Sequence, residues 1–298
     1  MISVLIPVYN YNIQPLVTSI NTQLNNTNVN FEIICIDDAS SDCYVNNDAL
    51  TSVNNVTLHK LSTNIGRSNI RNLLAEKAAY EWLLFLDADV LPENKFFINK
   101  YLECINSNKE KVFCGGIKYN SQKPKNEKLL RWVFGKNREE IDVVIRQKKP
   151  YQYFFGSNFL IHKSVFDSCL FNEKILKYGY EDVFFAEDLR NNQIPLIHLS
   201  NKVLHLGIEN NIIFLVKTKQ AIENLYSLTV KNGFKINSVK ILKTYRLISR
   251  YKLVWFFSSV FVVFNKLFEY NLKSKIPSMF IFDIYKLTYF CFLNRKEA

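Results

Sequence analysis

The 298-residue chain has no CxxC pair and no regular cysteine spacing; its six cysteines stand at 35, 43, 104, 114, 169 and 291. A disulfide framework and a structural zinc site are therefore not expected, and the thiols read as reduced in a cytosolic protein. The opening residues, Met1-Ile2-Ser3-Val4-Leu5-Ile6-Pro7, lack a basic leader and a long apolar stretch, so neither a signal peptide nor an N-terminal anchor is expected. The longest apolar stretch, around Leu253 to Phe264, holds two serines and falls short of the roughly 20 residues that span a bilayer. Repeats, low-complexity segments and nucleic-acid reading motifs are absent too, which argues against a nucleic-acid partner. Acids are scarce at the C-terminus: residues 231–298 hold 13 Lys/Arg against three Asp/Glu, so nearly all of the formal +11 lies there.

What is present is a large apolar fraction, 48% of residues with 14% aromatic, enough to bury a sizeable core. In the C-terminal stretch, basic side chains alternate with Trp255, Phe256, Phe257, Phe261, Phe264 and Phe268. That pattern suits helices resting on an anionic membrane surface, or ordinary packed helices with a solvated basic face. The expected location is cytoplasmic, at the inner face of a membrane if the first reading holds.

Short apolar runs alternate with amphipathic stretches, the signature of an α/β fold with a mostly parallel sheet. Strands are expected at Ser3 to Val8, Phe31 to Asp37, Val56 to Lys60, Trp82 to Leu86 and Val112 to Gly116. Helices are expected at Pro15 to Leu24, Ser68 to Ala79 and Asn94 to Asn106. Residues 121–150 turn basic and polar and read as an excursion over the surface. Tyr153 to His162 reads as a strand, Glu181 to Asn191 as a helix and residues 196–206 as a strand pair. Beyond about 210 the pattern is helical, with a boundary near 230 separating a 1–230 domain from a 231–298 tail.

Acidic groups recur where apolar runs end. Asp37-Asp38 closes one strand and Asp87-Ala88-Asp89 another, the position at which open α/β sheets bind ligands. Carboxylates there are costly to desolvate unless a ligand donor or a cation pairs with them. The strand's alternation would send Asp87 and Asp89 to one side, with room for Mg²⁺ or Mn²⁺ between them. A lone DxD triplet equally fits a solvated turn. Tyr178-Gly179-Tyr180-Glu181-Asp182 puts two acids at a helix start, where they can cap the helix or act as a general base. His205, in Lys202-Val203-Leu204-His205-Leu206, can complete a metal shell or be purely structural.

Taken in order, these elements resemble the inverting family 2 glycosyltransferases of GT-A fold over roughly residues 1–207. Val4-Leu5-Ile6-Pro7-Val8-Tyr9-Asn10 resembles that family's first strand, which implies that Pro7 and Tyr9 border the nucleotide base. Asp37 to Asp42 is similar to its DDxSxD segment, implying that Asp38 accepts from the base, most naturally uracil. Asn64 to Asn72 resembles its NxGxSxARN loop, with Ile70 replacing the usual Ala, and implies a nucleotide-side role for Arg71. Asp87-Ala88-Asp89 matches its DxD, with Asp87 toward the ribose and Asp89 on the metal. Gly156-Ser157-Asn158 resembles a small-residue strand beside the donor sugar and acceptor, and Glu181-Asp182 its acid pair, with Asp182 as base and Glu181 touching a sugar. His205 then resembles the late metal-binding histidine. The resemblance implies transfer from a nucleotide-sugar donor, preferably a UDP-sugar, to a glycan or glycolipid hydroxyl with inversion, using Mn²⁺ or Mg²⁺. It covers nothing in the tail after 230.

Two rivals follow from the same residues. Leu84 to Val90 also fits the hhhDxDx(T/V) pattern of aspartyl-nucleophile phosphatases, although about 80 residues precede it here where that motif usually opens the fold. An inactive sugar- or membrane-binding module is the non-enzymatic alternative, and the retained Asp87, Asp89 and Asp182 speak against it.

Overall fold

The computed structural model describes residues 1–41, 47–107, 111–175, 178–234, 236 and 238–297. Cys43 and the Asp42 that ends the DDxSxD segment lie outside the described residues. The chain divides into two compact units: Met1–Asn120 with Glu139–Leu176 and Phe185–Gly207, and Ser121–Arg138 with Lys177–Phe184 and Ile208–Ala298.

The first unit is the α/β part. Its strands are β1 (Ile2–Val8), β2 (Phe31–Asp37), β3 (Val56–Lys60), β4 (Trp82–Leu86), β5 (Val90–Pro92), β6 (Val112–Cys114), β7 (Ile117–Lys118), β8 (Asn158–His162), β9 (Ile197–His198) and β10 (Val203–His205). Seven form one sheet in the order β3-β2-β1-β4-β8-β6-β9, and β5-β10-β7 form a smaller one. The β3-β2-β1-β4 run is parallel throughout, whereas β8 runs antiparallel to both β4 and β6. The helices of this unit are α1 (Gln14–Asn25), α2 (Arg67–Lys77), α3 (Phe97–Ser107), α5 (Val143–Lys148) and α6 (Lys163–Phe166); α4 (Leu129–Arg138) lies in the second unit, and α7 (Glu181–Asn191) begins there and continues into the first.

Strand alternation sorts the apolar residues into two layers. Val4, Ile6, Ile33, Cys35, Leu84 and Leu86 face one core with Leu16, Val17 and Ile20 of α1 and Phe97 and Tyr101 of α3. Leu5, Ile34, Ile36, Leu83 and Phe85 face the other with Ile70 and Leu74 of α2, Phe166 of α6 and Phe185 of α7. The continuous apolar runs in these strands follow from burial on both faces, so the carboxylates fall at the strand ends.

Two local readings are corrected. Tyr153 does not begin a strand: Pro150–Tyr153 forms a 3-10 turn and β8 starts only at Asn158, because Pro150 favours a turn start and Gly156 interrupts the run. Residues 121–150 are not a surface excursion, since α4 and α5 lie there with Leu129, Leu130, Arg131 and Arg146 buried. Residues 197–205 do supply two strands, but β9 pairs with β6 and β10 with β5 and β7.

The second unit is helical: α4, the start of α7, α8 (Asn211–Tyr226), a short π-helical turn Ser227–Lys231, α9 (Lys240–Arg250), α10 (Val254–Leu272) and α11 (Met279–Glu297). Residues 231–298 lie wholly within it. Its core joins α4, α8 and α11 through Phe134, Phe214 and Phe282, whose ring centroids lie 5.4 to 5.8 Å apart.

Candidate functional site

In the first unit, the register delivers three chain segments to one sheet edge. Val8 pairs with Asp37 and Leu5 with Phe85, so the carboxyl ends of β2, β1 and β4 present Asp38, Tyr9 and Asp87 from adjacent strands. Tyr9 is 53% exposed, a large ring left in solvent immediately after a strand whose residues other than Pro7 are buried. The loops behind it are tied: Asn10 donates its N–H to Ser40 Oγ at 2.8 Å, and Ser41 donates back to Asn10 Oδ1 at 2.8 Å.

Asp38 is buried and receives two backbone N–H groups, Ile65 on Oδ1 at 2.7 Å and Gly66 on Oδ2 at 3.0 Å. Each oxygen keeps a second acceptor position. Its first task is to fix the Asn64–Gly66 turn, whose Gly66 has φ +84 and caps α2. One turn into α2, Arg71 is 2% exposed and its Nη2 reaches Asp87 Oδ1 at 2.8 Å, with the guanidinium over the Phe171 ring. A buried guanidinium left without its carboxylate is strongly unfavourable, so Arg71 holds Asp87 in place.

Asp87 and Asp89 lie just past β4 in a turn leading to β5, Asp87 paired with Arg71 and Asp89 beside His205. Asp89 Oδ2 lies 3.5 Å from His205 Nε2. The antiparallel pairing of His205 with Val90 creates this approach, and Leu206 N–H to Asp89 O at 2.8 Å extends it. Tyr119, fully buried, stacks on the His205 ring at 5.2 Å. Gly207 backs directly onto the carboxylate: a Cβ there would stand 1.9 Å from Asp89 Oδ2. Carboxylate oxygen and imidazole nitrogen at this separation fit joint ligation of one hard divalent cation at about 2.1 Å each. Among the described residues no group of three or more His, Cys, Asp or Glu assembles, so further coordination would come from ligand oxygens and water.

Tyr11, Tyr119 and Gly207 were not anticipated from sequence. Tyr11 titrates above its ordinary value, first because burial disfavours phenolate and then because the Asp89 charge opposes it, which places its hydroxyl within electrostatic reach of Asp89. Gly207 follows His205 by two residues, and that His-x-Gly spacing was the one available signal.

The small-residue strand behaves unevenly. Gly156 and Ser157 precede β8, and Ser157 O accepts from Asp87 N–H at 3.2 Å. Asn158 is 1% exposed, and its amide is used inside the protein: Tyr101 OH donates to Oδ1 at 2.7 Å, and Nδ2 donates to Gly116 O and Asn201 O at 2.9 Å each. Its side chain therefore braces the strand and offers no free donor.

In the second unit, Gly179 with φ +98 and Tyr180 with φ +71 turn the chain into α7, whose first turn carries Glu181 and Asp182. Asn224 of α8 donates to Gly179 O at 2.8 Å, and a Cβ at Gly179 would meet Ala221 Cβ at 2.6 Å. The left-handed conformation is free for Gly179 but strained for Tyr180, and α8 holds the turn. Glu181 is buried and Asp182 half-buried.

Residues 3–170 match the model of the family described as "Glycosyl transferase family 2". A curated relative, an "Uncharacterized glycosyltransferase" of Haemophilus influenzae, is 34% identical over 112 residues, which cover 36% of this chain and 35% of that protein. Among solved structures, S. aureus TarS 1-349 in complex with UDP-GlcNAc superposes with TM-score 0.50 at 18% identity, covering 100% of this chain and 92% of that one. Mannosyltransferase PcManGT from Pyrobaculum calidifontis, in complex with GDP-Man and Mn²⁺, gives TM-score 0.57 at 11% identity, covering 99% and 86%. At these identities the structural likeness shows the fold, and the expected α/β architecture with a helical C-terminal region is the one observed.

Proposed function

Because the chain belongs to glycosyl transferase family 2, we propose that it transfers a sugar from a nucleotide-activated donor to an acceptor hydroxyl, with inversion at the anomeric carbon. The observation that carries this reading is the Asp89 and His205 pair, 3.5 Å apart, backed by Gly207 at the ligand-binding edge of the sheet. The proposed donor is a UDP-sugar. The solved relatives bind UDP-GlcNAc in one case and GDP-Man in another, and the Asp38 acceptor positions suit the imide N–H of uracil.

Tyr9 would cover the base, and Asp87, held by Arg71, would take the ribose hydroxyls. Asp89 and His205 would hold Mn²⁺ or Mg²⁺, which when bound offsets the charge of the leaving diphosphate. Asp182 would accept the proton of the attacking hydroxyl as the new bond forms, so no covalent sugar intermediate arises. Glu181 beside it would orient a sugar. A cytoplasmic enzyme extending a glycan or glycolipid, in polysaccharide or glycoconjugate synthesis, is the setting we infer.

The test is nucleotide release from a panel of UDP- and GDP-sugars with Mn²⁺, alongside phosphate release from simple phosphomonoesters, and NMR of the anomeric configuration in any product. Sugar-nucleotide turnover with inversion supports the reading. Phosphomonoester turnover alone, or a product with retained configuration, would remove it.

A further inference from the structure

We propose that the outward face of α10, with the basic residues that flank it, is an in-plane docking surface for an anionic lipid bilayer. The inference rests on the helical unit alone and stands whether or not the transfer reading holds. Residues 231–298 as a whole do not face outward: Phe282, Tyr285, Tyr289, Phe290 and Cys291 of α11 are buried, and Phe261 of α10 packs among Tyr285, Tyr289 and Phe292 at 5.0 to 5.8 Å. What remains outside is specific. Trp255, Phe256, Val262, Val263, Leu267 and Tyr270 are each more than half exposed, and at 3.6 residues per turn they fall within an arc of roughly 140°. Water-soluble proteins rarely leave so many large apolar side chains contiguous.

The charge around this face selects its partner. Lys240, Lys243, Arg246 and Arg250 are exposed on α9, Lys252 follows it, Lys266 lies on α10 itself, and Lys273 and Lys275 close the far end. Glu269, the acid of α10, is held below the usual carboxylate range by Lys273 and Lys219 despite its burial, and is thereby neutralised from within. A second copy of the chain would bring a like-charged face against this one, whereas an anionic headgroup layer complements it. Among the described residues no single helix is long and apolar enough to cross a membrane, and α9 and α10 meet that test only as a pair bent by 118°. An apolar helix face flanked by cations, with Lys266 on the face itself, suits a position in the headgroup layer.

The experiment is co-sedimentation of the full-length protein with phosphatidylcholine vesicles, with and without phosphatidylglycerol. Sedimentation velocity without lipid and Trp255 emission complete it, with Trp255→Phe identifying that signal. Binding should require the anionic lipid, weaken with salt and shift Trp255 emission to the blue. Removing charges by Lys243→Gln, Arg250→Gln and Lys252→Gln should weaken it about fivefold per charge. The triple variant Phe256→Ser, Val263→Ser, Leu267→Ser should weaken it more than about tenfold, with circular dichroism and the urea denaturation midpoint unchanged as the fold control. Three results would overturn the proposal: no vesicle binding by the wild type, binding that both variants retain, or self-association through this face, abolished by the triple variant, without lipid binding.

Discussion

Replacing Gly207 by alanine separates the proposed metal site from the fold that supports it. Gly207 is outside the left-handed region, so its backbone accepts alanine, and only the space in front of it is lacking. The added Cβ would stand 1.9 Å from Asp89 Oδ2, 2.7 Å from Cγ and 3.0 Å from Cβ. The oxygen must retreat by about 1.5 Å to reach ordinary contact. The terminal torsion of Asp89 moves only its oxygens, so relieving the 2.7 Å approach to Cγ also takes a change of the first side-chain torsion; at about 1 kcal/mol for such an off-rotamer adjustment, the sheet survives. The carboxylate then leaves its position 3.5 Å from His205, and a cation held by both would lose about 10- to 100-fold in affinity, as when a ligand's supporting contacts are removed. Manganese titration of sugar-nucleotide hydrolysis reads the affinity, and urea denaturation reads the fold. An unchanged half-saturation for Mn²⁺ would refute the assignment of Asp89 and His205 as joint ligands. A stability loss of several kcal/mol would instead show that Asp89 cannot move, contrary to the argument.

Further outcomes follow from other parts of the structure. Asp182→Asn should lower transfer by about 10²- to 10⁴-fold, the range of a lost general base, while donor affinity by calorimetry stays near wild type; normal turnover would reject that role. Arg71→Met leaves Asp87 without its 2.8 Å partner and should weaken nucleotide binding while keeping its metal dependence, so wild-type affinity would show that Asp87 does not contact the donor. His198 is buried with Nδ1 accepting from Arg146 Nη1 at 2.7 Å and Nε2–H donating to Pro150 O at 3.0 Å. Burial lowers its pKa to about 4, the Pro150 bond opposes this and Arg146 reinforces it. The unfolded chain therefore binds the extra proton between about pH 6.5 and 4, and stability present above that window falls by about 3 kcal/mol as pH drops through it. Denaturation midpoints across the range should show this slope, and His198→Gln should flatten it; an identical slope in the variant would contradict the assignment.

The parallel strands and the acids at their ends were legible because burial on both faces leaves uninterrupted apolar runs that stop at a polar residue, as at Ile36-Asp37 and Leu86-Asp87. The partnership of Asp89 with His205 was not legible in physical terms. It depends on antiparallel register between two three-residue strands, too short to carry a periodic signal. Arg146 shows the opposite failure. Its basic neighbourhood reads as surface, yet the guanidinium is fully buried and donates to the carbonyls of Cys114, Gly115, Ile141 and Leu199. Gly116, whose φ is +92, lies so close that a Cβ there would stand 2.7 Å from Arg146 Nη2. Arg71 likewise acts through Asp87, a relation set by the turn of α2 against β4 and invisible in spacing alone.

The most direct measurement is the thermal shift produced by a UDP-sugar with and without Mn²⁺, in wild type and in Asp89→Ala. Ligand at about 100 times its dissociation constant should stabilise the wild type by about 2.7 kcal/mol only when the metal is present, and should leave Asp89→Ala unshifted. Equal stabilisation with and without Mn²⁺, or an undiminished shift in the variant, would contradict a donor site built around a cation on Asp89 and His205.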